Sequence, residues 1–115
     1  MLPGYLGSLT GQPTRAVQRH PRVLYSIPLT LHHLADGGVR SSHGITLDIS
    51  ESGLGALVQG QLEVGDMVKI GLPLPDSPLN AVAIVRHTSP LRSGFEFLGL
   101  TLEERQRIAG VVGSA

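Results

Sequence analysis

Two short polar segments hold the residue types that recognise ligands. Gln18-Arg19-His20-Pro21-Arg22 stands before a strand-like run, and Asp48-Ile49-Ser50-Glu51-Ser52-Gly53 ends the next strand and opens a turn. With Arg15, the first 22 residues carry three arginines and no acidic residue. An arginine fork matches phosphate oxygens bidentately and also the O6/N7 edge of guanine. Its plane stacks on a purine face. Asp48 accepts from a guanine N1–H and N2–H₂ edge or from an arginine fork, and Ser50 donates or accepts. Together these groups suit binding of a phosphate-bearing guanine ligand. Each segment alone also reads as ordinary solvated residues; the pair, in this order, carries the functional reading.

Other constellations are weaker. His32 and His33 are strand neighbours and point to opposite faces, so they cannot chelate together. The chain has no cysteine, so a zinc site would need distant residues to converge. No Gly-x-Ser-x-Gly elbow supports a Ser50 nucleophile. No Walker or dinucleotide loop occurs. Aromatic residues make up 3% of the chain, too few for base stacking over an open sheet. The expectation is a binding domain, not an enzyme, with no cofactor or metal required.

At 115 residues the chain reads as one domain. Its formal net charge of zero argues against a general nucleic-acid or membrane-surface binder. The start lacks a basic region followed by a sustained apolar run, so no signal peptide is expected. No segment approaches the roughly 20 apolar residues of a membrane span. A cytoplasmic location is expected, and the absence of cysteine fits a reducing compartment.

Residues 1–17 mix Gly, Pro, Ser and Thr without periodicity and read as a flexible arm. Val23, Tyr25, Ile27, Leu29 and Leu31 then recur with the period of two that marks a half-buried strand. Pro28 within it predicts an edge or a bulge. Asp36-Gly37-Gly38 predicts a hairpin turn. A second strand runs through Ile45, Leu47 and Ile49. Alternation would place those three inward and Thr46, Asp48 and Ser50 on one exposed face, with Asp48 and Ser50 about 6.6 Å apart. Gly53 would supply φ freedom to the turn and let a ligand approach the backbone.

Further strands are expected over 54–59, from Val68 to Leu74, over 80–86 and over 95–98. Thr101-Leu102-Glu103-Glu104 fits a capping box, with Ile108, Val111 and Val112 on one face of the helix that follows. Six short strands and a closing helix predict an all-β fold, a small antiparallel barrel with a C-terminal helix.

An arginine cluster before the first strand, followed by Asp48-x-Ser50-x-x-Gly53 after the second, resembles the PilZ domain family. The likeness covers residues 18–112 and takes in Gly65-Asp66, Gly94-Phe95 and the polar helix start. It implies a six-stranded barrel of split-barrel type and binding of the bacterial second messenger cyclic di-GMP. Arg15, Gln18, Arg19, Arg22, Asp48, Ser50 and Gly53 are the implied ligand-binding residues. It also implies a protein partner in motility, pilus or polysaccharide machinery, engaged when ligand orders the arginine arm.

The family pattern Arg-x-x-x-Arg is met at Arg22, directly before the strand, but its first place is held by Gln18. Arg19 is adjacent and can substitute. Arg15 and Arg19 have the right spacing but sit three residues early. Losing one charged fork costs about 1.5–3 kcal/mol. Gln18 therefore supports a second reading, a PilZ-like adaptor that binds no nucleotide and works through protein contact.

Overall fold

The structure is a computed structural model that describes residues 20–37 and 39–114. Arg15, Gln18 and Arg19, and the arm expected over residues 1–17, lie outside these. Seven strands and one helix follow in order. They are β1 (Val23–Leu24), β2 (Pro28–His33), β3 (Ser41–Ile49), β4 (Gly53–Val58), β5 (Met67–Leu72), β6 (Leu79–Ser89), β7 (Arg92–Leu98) and α1 (Leu102–Ser114). All pairings are antiparallel, and they run β3-β2-β5-β6-β7-β4. Pairing of β3 with β4 closes the circuit into a six-stranded barrel, and β1 lies beside the far end of β3.

Alternation explains the core. Leu29 and Leu31 of β2, Val68, Ile70 and Leu72 of β5, Ala81, Ala83 and Val85 of β6, and Phe95 and Phe97 of β7 are all buried. Leu74 and Leu79 continue this core beside the turn around Pro75–Pro78. The expected capping box is present: the Thr101 N–H donates to Glu104 Oε1 at 2.9 Å, and the Glu104 N–H donates to Thr101 Oγ1 at 3.1 Å. Ile108 plugs the helix into the core, and Val111 and Val112 pack against it. No described helix is long and apolar enough to cross a membrane.

The first strand is broken over residues 25–27, just before Pro28. β1 and β2 both pair with β3, but the register slips by one residue between them. Thr46 bridges the break. Its hydroxyl accepts from the Ile27 N–H at 2.9 Å and donates to the Tyr25 carbonyl at 2.5 Å. The expected hairpin turn is a 3-10 turn over Leu34–Asp36, closed by Gly37 at φ 67°.

The facing of β3 needs correction. Its pairing with β4 shifts between Thr46 and Asp48, which leaves Leu47 as a bulged residue. One extra residue reverses the alternation before it. Thr46 therefore points into the core at 0% exposure, and Ile45 points out at 45%. Beyond the bulge, Ile49 is inward, as expected. Asp48 lies opposite Gly55 and meets the Arg22 and Arg92 side chains.

Candidate functional site

The bulge in β3 and a second one in β6 bring four residues into line across the outer wall. Asp48 of β3 lies opposite Gly55 of β4, Gly55 opposite Gly94 of β7, and Gly94 opposite His87 of β6. The two glycines keep the floor of this row low. A Cβ at residue 55 would sit 2.3 Å from Cζ of Arg92, and one at residue 94 would sit 2.2 Å from Cε1 of His87. The Arg92 guanidinium and the His87 ring thus occupy the space that larger residues would fill.

Asp48 is the electrostatic centre. Its Oδ1 accepts from Nη1 of Arg22 at 2.8 Å, from Nη2 of Arg92 at 3.1 Å and from the Gly55 N–H at 3.1 Å. Its Oδ2 accepts from Nη1 of Arg92 at 2.5 Å. The Arg92 hydrogen bond, followed by the charges of Arg92 and Arg22, holds the Asp48 carboxyl below the usual carboxylate range, while burial pushes the other way. Asp48 in turn raises the Arg92 guanidinium above its ordinary value, chiefly through the same hydrogen bond. The two arginines differ in hold. Arg92 makes a two-pronged fork and is 33% exposed; Arg22 makes one bond and is 46% exposed.

A groove of about 670 Å³ opens beside this cluster, lined by His20, Arg22, Ser52, Arg86, His87, Arg92 and their neighbours. That volume lies within the roughly 300–1,000 Å³ of small-molecule sites. Nε of Arg86 donates to Glu96 Oε1 at 2.6 Å on the same wall. Three guanidinium groups against two carboxylates, Asp48 and Glu96, leave a positive excess that suits an anionic ligand.

Two expected roles change. Ser50 is not on an exposed face: it is 1% exposed. Its backbone N–H donates to the Gly53 carbonyl at 2.8 Å, and its hydroxyl donates to the same oxygen at 3.3 Å. That hydroxyl also accepts from the Ser52 N–H at 3.2 Å. Ser50 therefore shapes the turn at the edge of the groove, because its short side chain competes with backbone partners. Gly53 is not among the glycines with positive φ. It is required by crowding, since a Cβ there would lie 2.0 Å from the Phe95 carbonyl oxygen.

The structure brings Arg22, Asp48, Ser50 and Gly53 to one corner of the barrel, as the sequence pattern implied. Sequence reasoning missed Arg92, His87 and Gly55. The available signal was the Arg-x-Gly spacing of Arg92 and Gly94, which puts the guanidinium on the same face of β7 as the glycine floor.

Comparison with known proteins agrees with this fold. A family model for the PilZ domain matches residues 16–113. The fold is similar to the PilZ domain of CeSA from a cellulose-synthesizing bacterium, with a TM-score of 0.67 and 22% identity, over 82% of this chain and 96% of that one. It is similar to the PilZ domain of Escherichia coli YcgR with c-di-GMP, with a TM-score of 0.70 and 18% identity, over 84% of this chain and 89% of that one. A larger YcgR chain, in complex with c-di-GMP, matches with a TM-score of 0.69 and 21% identity; 84% of this chain is covered but 45% of that one. Among curated proteins, none matches the sequence. The matched span takes in nearly the whole barrel and helix together with the arginine and Asp-x-Ser-x-x-Gly segments, and the chain belongs to the PilZ domain family.

Proposed function

We propose that this domain is a receptor for cyclic di-GMP. The observation that carries the reading is the Arg22–Asp48–Arg92 cluster at the mouth of a groove with positive excess, where the chain arrives from its arginine-bearing first residues. Structural similarity to a YcgR PilZ domain with c-di-GMP supports the choice of ligand. Arg22 and Arg19 hold phosphate and stack on guanine, with Arg15 as an auxiliary cation and Gln18 as a neutral donor. Asp48 orients the guanidinium groups and meets the guanine edge. Ser50 and Gly53 hold the turn beneath it. Binding draws residues 15–22 against the barrel, and that change is what a protein partner reads.

Calorimetric titration of cyclic di-GMP into the wild type and an Arg22→Ala variant tests the proposal. Saturable heat with the wild type, weakened by the substitution, is the expected result. No heat with the wild type up to millimolar ligand ends it. Gln18 favours a second reading, an adaptor that binds no nucleotide. If Gln18→Arg creates binding that the wild type lacks, the adaptor reading holds; if it only tightens existing binding, the receptor reading holds.

A further inference from the structure

We propose that Arg92, seated on Gly55, is the standing partner of Asp48 and thereby leaves Arg22 free to turn to a ligand phosphate. This rests on the receptor reading above.

The argument starts from what the Asp48 carboxylate requires. A largely buried carboxylate is costly to leave unpaired. Were Arg22 its sole cationic partner, Arg22 would have to abandon that carboxylate to reach a phosphate. Arg92 removes this conflict. Without Arg22, Asp48 keeps three donors: Nη1 of Arg92 on Oδ2, and Nη2 of Arg92 with the Gly55 N–H on Oδ1. The single Arg22 bond is the dispensable one, and it belongs to the more exposed of the two guanidinium groups.

Position, not charge alone, is what makes Arg92 suited to this. Its guanidinium lies where a side chain at residue 55 would begin, within 2.2–2.5 Å of a Cβ built there. Any residue but glycine at 55 pushes the fork off Asp48. The side chain comes from β7, 44 residues away, and crosses β4 to reach β3.

The test uses the full chain and cyclic di-GMP, by calorimetry, on the wild type, Arg92→Ala, Gly55→Ala, Asp48→Asn and the Asp48→Asn/Arg92→Ala double variant. Unfolding curves confirm that each variant is folded. Arg92→Ala is expected to weaken binding ~10-fold or more. Gly55→Ala retains every charge and displaces only the end of a flexible side chain, and it is expected to weaken binding in the same direction. In the Asp48→Asn background, where no carboxylate captures Arg22, removing Arg92 is expected to change affinity less than about twofold. Equal losses from Arg92→Ala in both backgrounds would mean that Arg92 touches the ligand, and would overturn the positioning role. Unchanged affinity in Gly55→Ala would overturn it too.

If Asp48→Asn binds too weakly to titrate, NMR of the guanidinium protons decides. On ligand addition, Arg92 keeps its exchange protection and Arg22 changes; the reverse pattern refutes the assignment. No binding by the wild type overturns the receptor reading and this assignment together, whereas wild-type binding with the contrary variant pattern overturns this assignment alone.

Discussion

Gly53 and Phe95 approach so closely that a Cβ on residue 53 would lie 2.0 Å from the Phe95 carbonyl oxygen and 3.1 Å from its carbon. The neighbour is backbone inside a paired strand, so it cannot swing aside. Gly53→Ala is therefore expected to force β4 away from β7, at a cost of about 2–3 kcal/mol by the scale for overpacking. Urea unfolding measures it. A change under about 0.5 kcal/mol, the range of neutral surface substitutions, would show that the strands part easily.

The Asp48 carboxyl makes stability fall in acid. Its folded value is depressed, first by the Arg92 hydrogen bond and then by the charges of Arg92 and Arg22. A depressed folded value means that the contribution is complete above the unfolded value of about 3.9 and is lost as pH falls through the folded value. Wild type and Asp48→Asn should differ by a constant amount from neutral pH down to about pH 5. Below that their urea midpoints should converge. Parallel curves down to strongly acid pH would contradict the ion-pair account.

Thr46 replaces a stretch of missing strand pairing with one hydroxyl. Thr46→Val keeps the shape but leaves the Ile27 N–H and the Tyr25 carbonyl without that partner. The expected loss is about 1–3 kcal/mol, the cost of unsatisfied interior polar groups. Hydrogen exchange at the Ile27 amide should rise as well, which a loss of packing alone would not produce locally.

The helix cap is separable from the site. Thr101→Ala removes the acceptor for the Glu104 N–H and should cost about 1 kcal/mol. Cyclic di-GMP affinity should stay unchanged, because Thr101 does not line the groove beside Asp48. A thermal unfolding scan with a parallel titration checks both halves.

Much of the barrel was legible from local pattern. The strand β5 and the inward positions Leu29, Leu31, Val68, Ile70 and Leu72 follow from alternation, whereas β6 and β7, expected over 80–86 and 95–98, run over Leu79–Ser89 and Arg92–Leu98 because their shared hairpin carries polar residues that pair across it. Thr101 and Glu104 announce the helix because capping is a property of neighbouring residues. The facing of Ile45 and Thr46 was misread because a bulge depends on the partner strand, and nothing in residues 41–49 marks Leu47 as the extra one. Ser50 was misplaced for a related reason: alternation stops where the strand turns, and its hydroxyl then prefers nearby backbone. Arg22, Asp48 and Gly53, which lie together at one corner of the barrel, were singled out through a motif. Arg92 and Gly55 were not, because their meeting exists only once β3, β4 and β7 lie side by side.

The pairing of β4 with β7 couples residues 53–56 to residues 93–96. Such distant partners must wait for the intervening hairpin, so maturation is expected on the roughly millisecond-to-second scale of barrels rich in remote contacts. A nascent polypeptide still short of Arg92 on the ribosome carries Asp48 but not the fork that sets it. On the receptor reading proposed above, half-made copies would not compete for the ligand, because a complete site comes only with the finished ring.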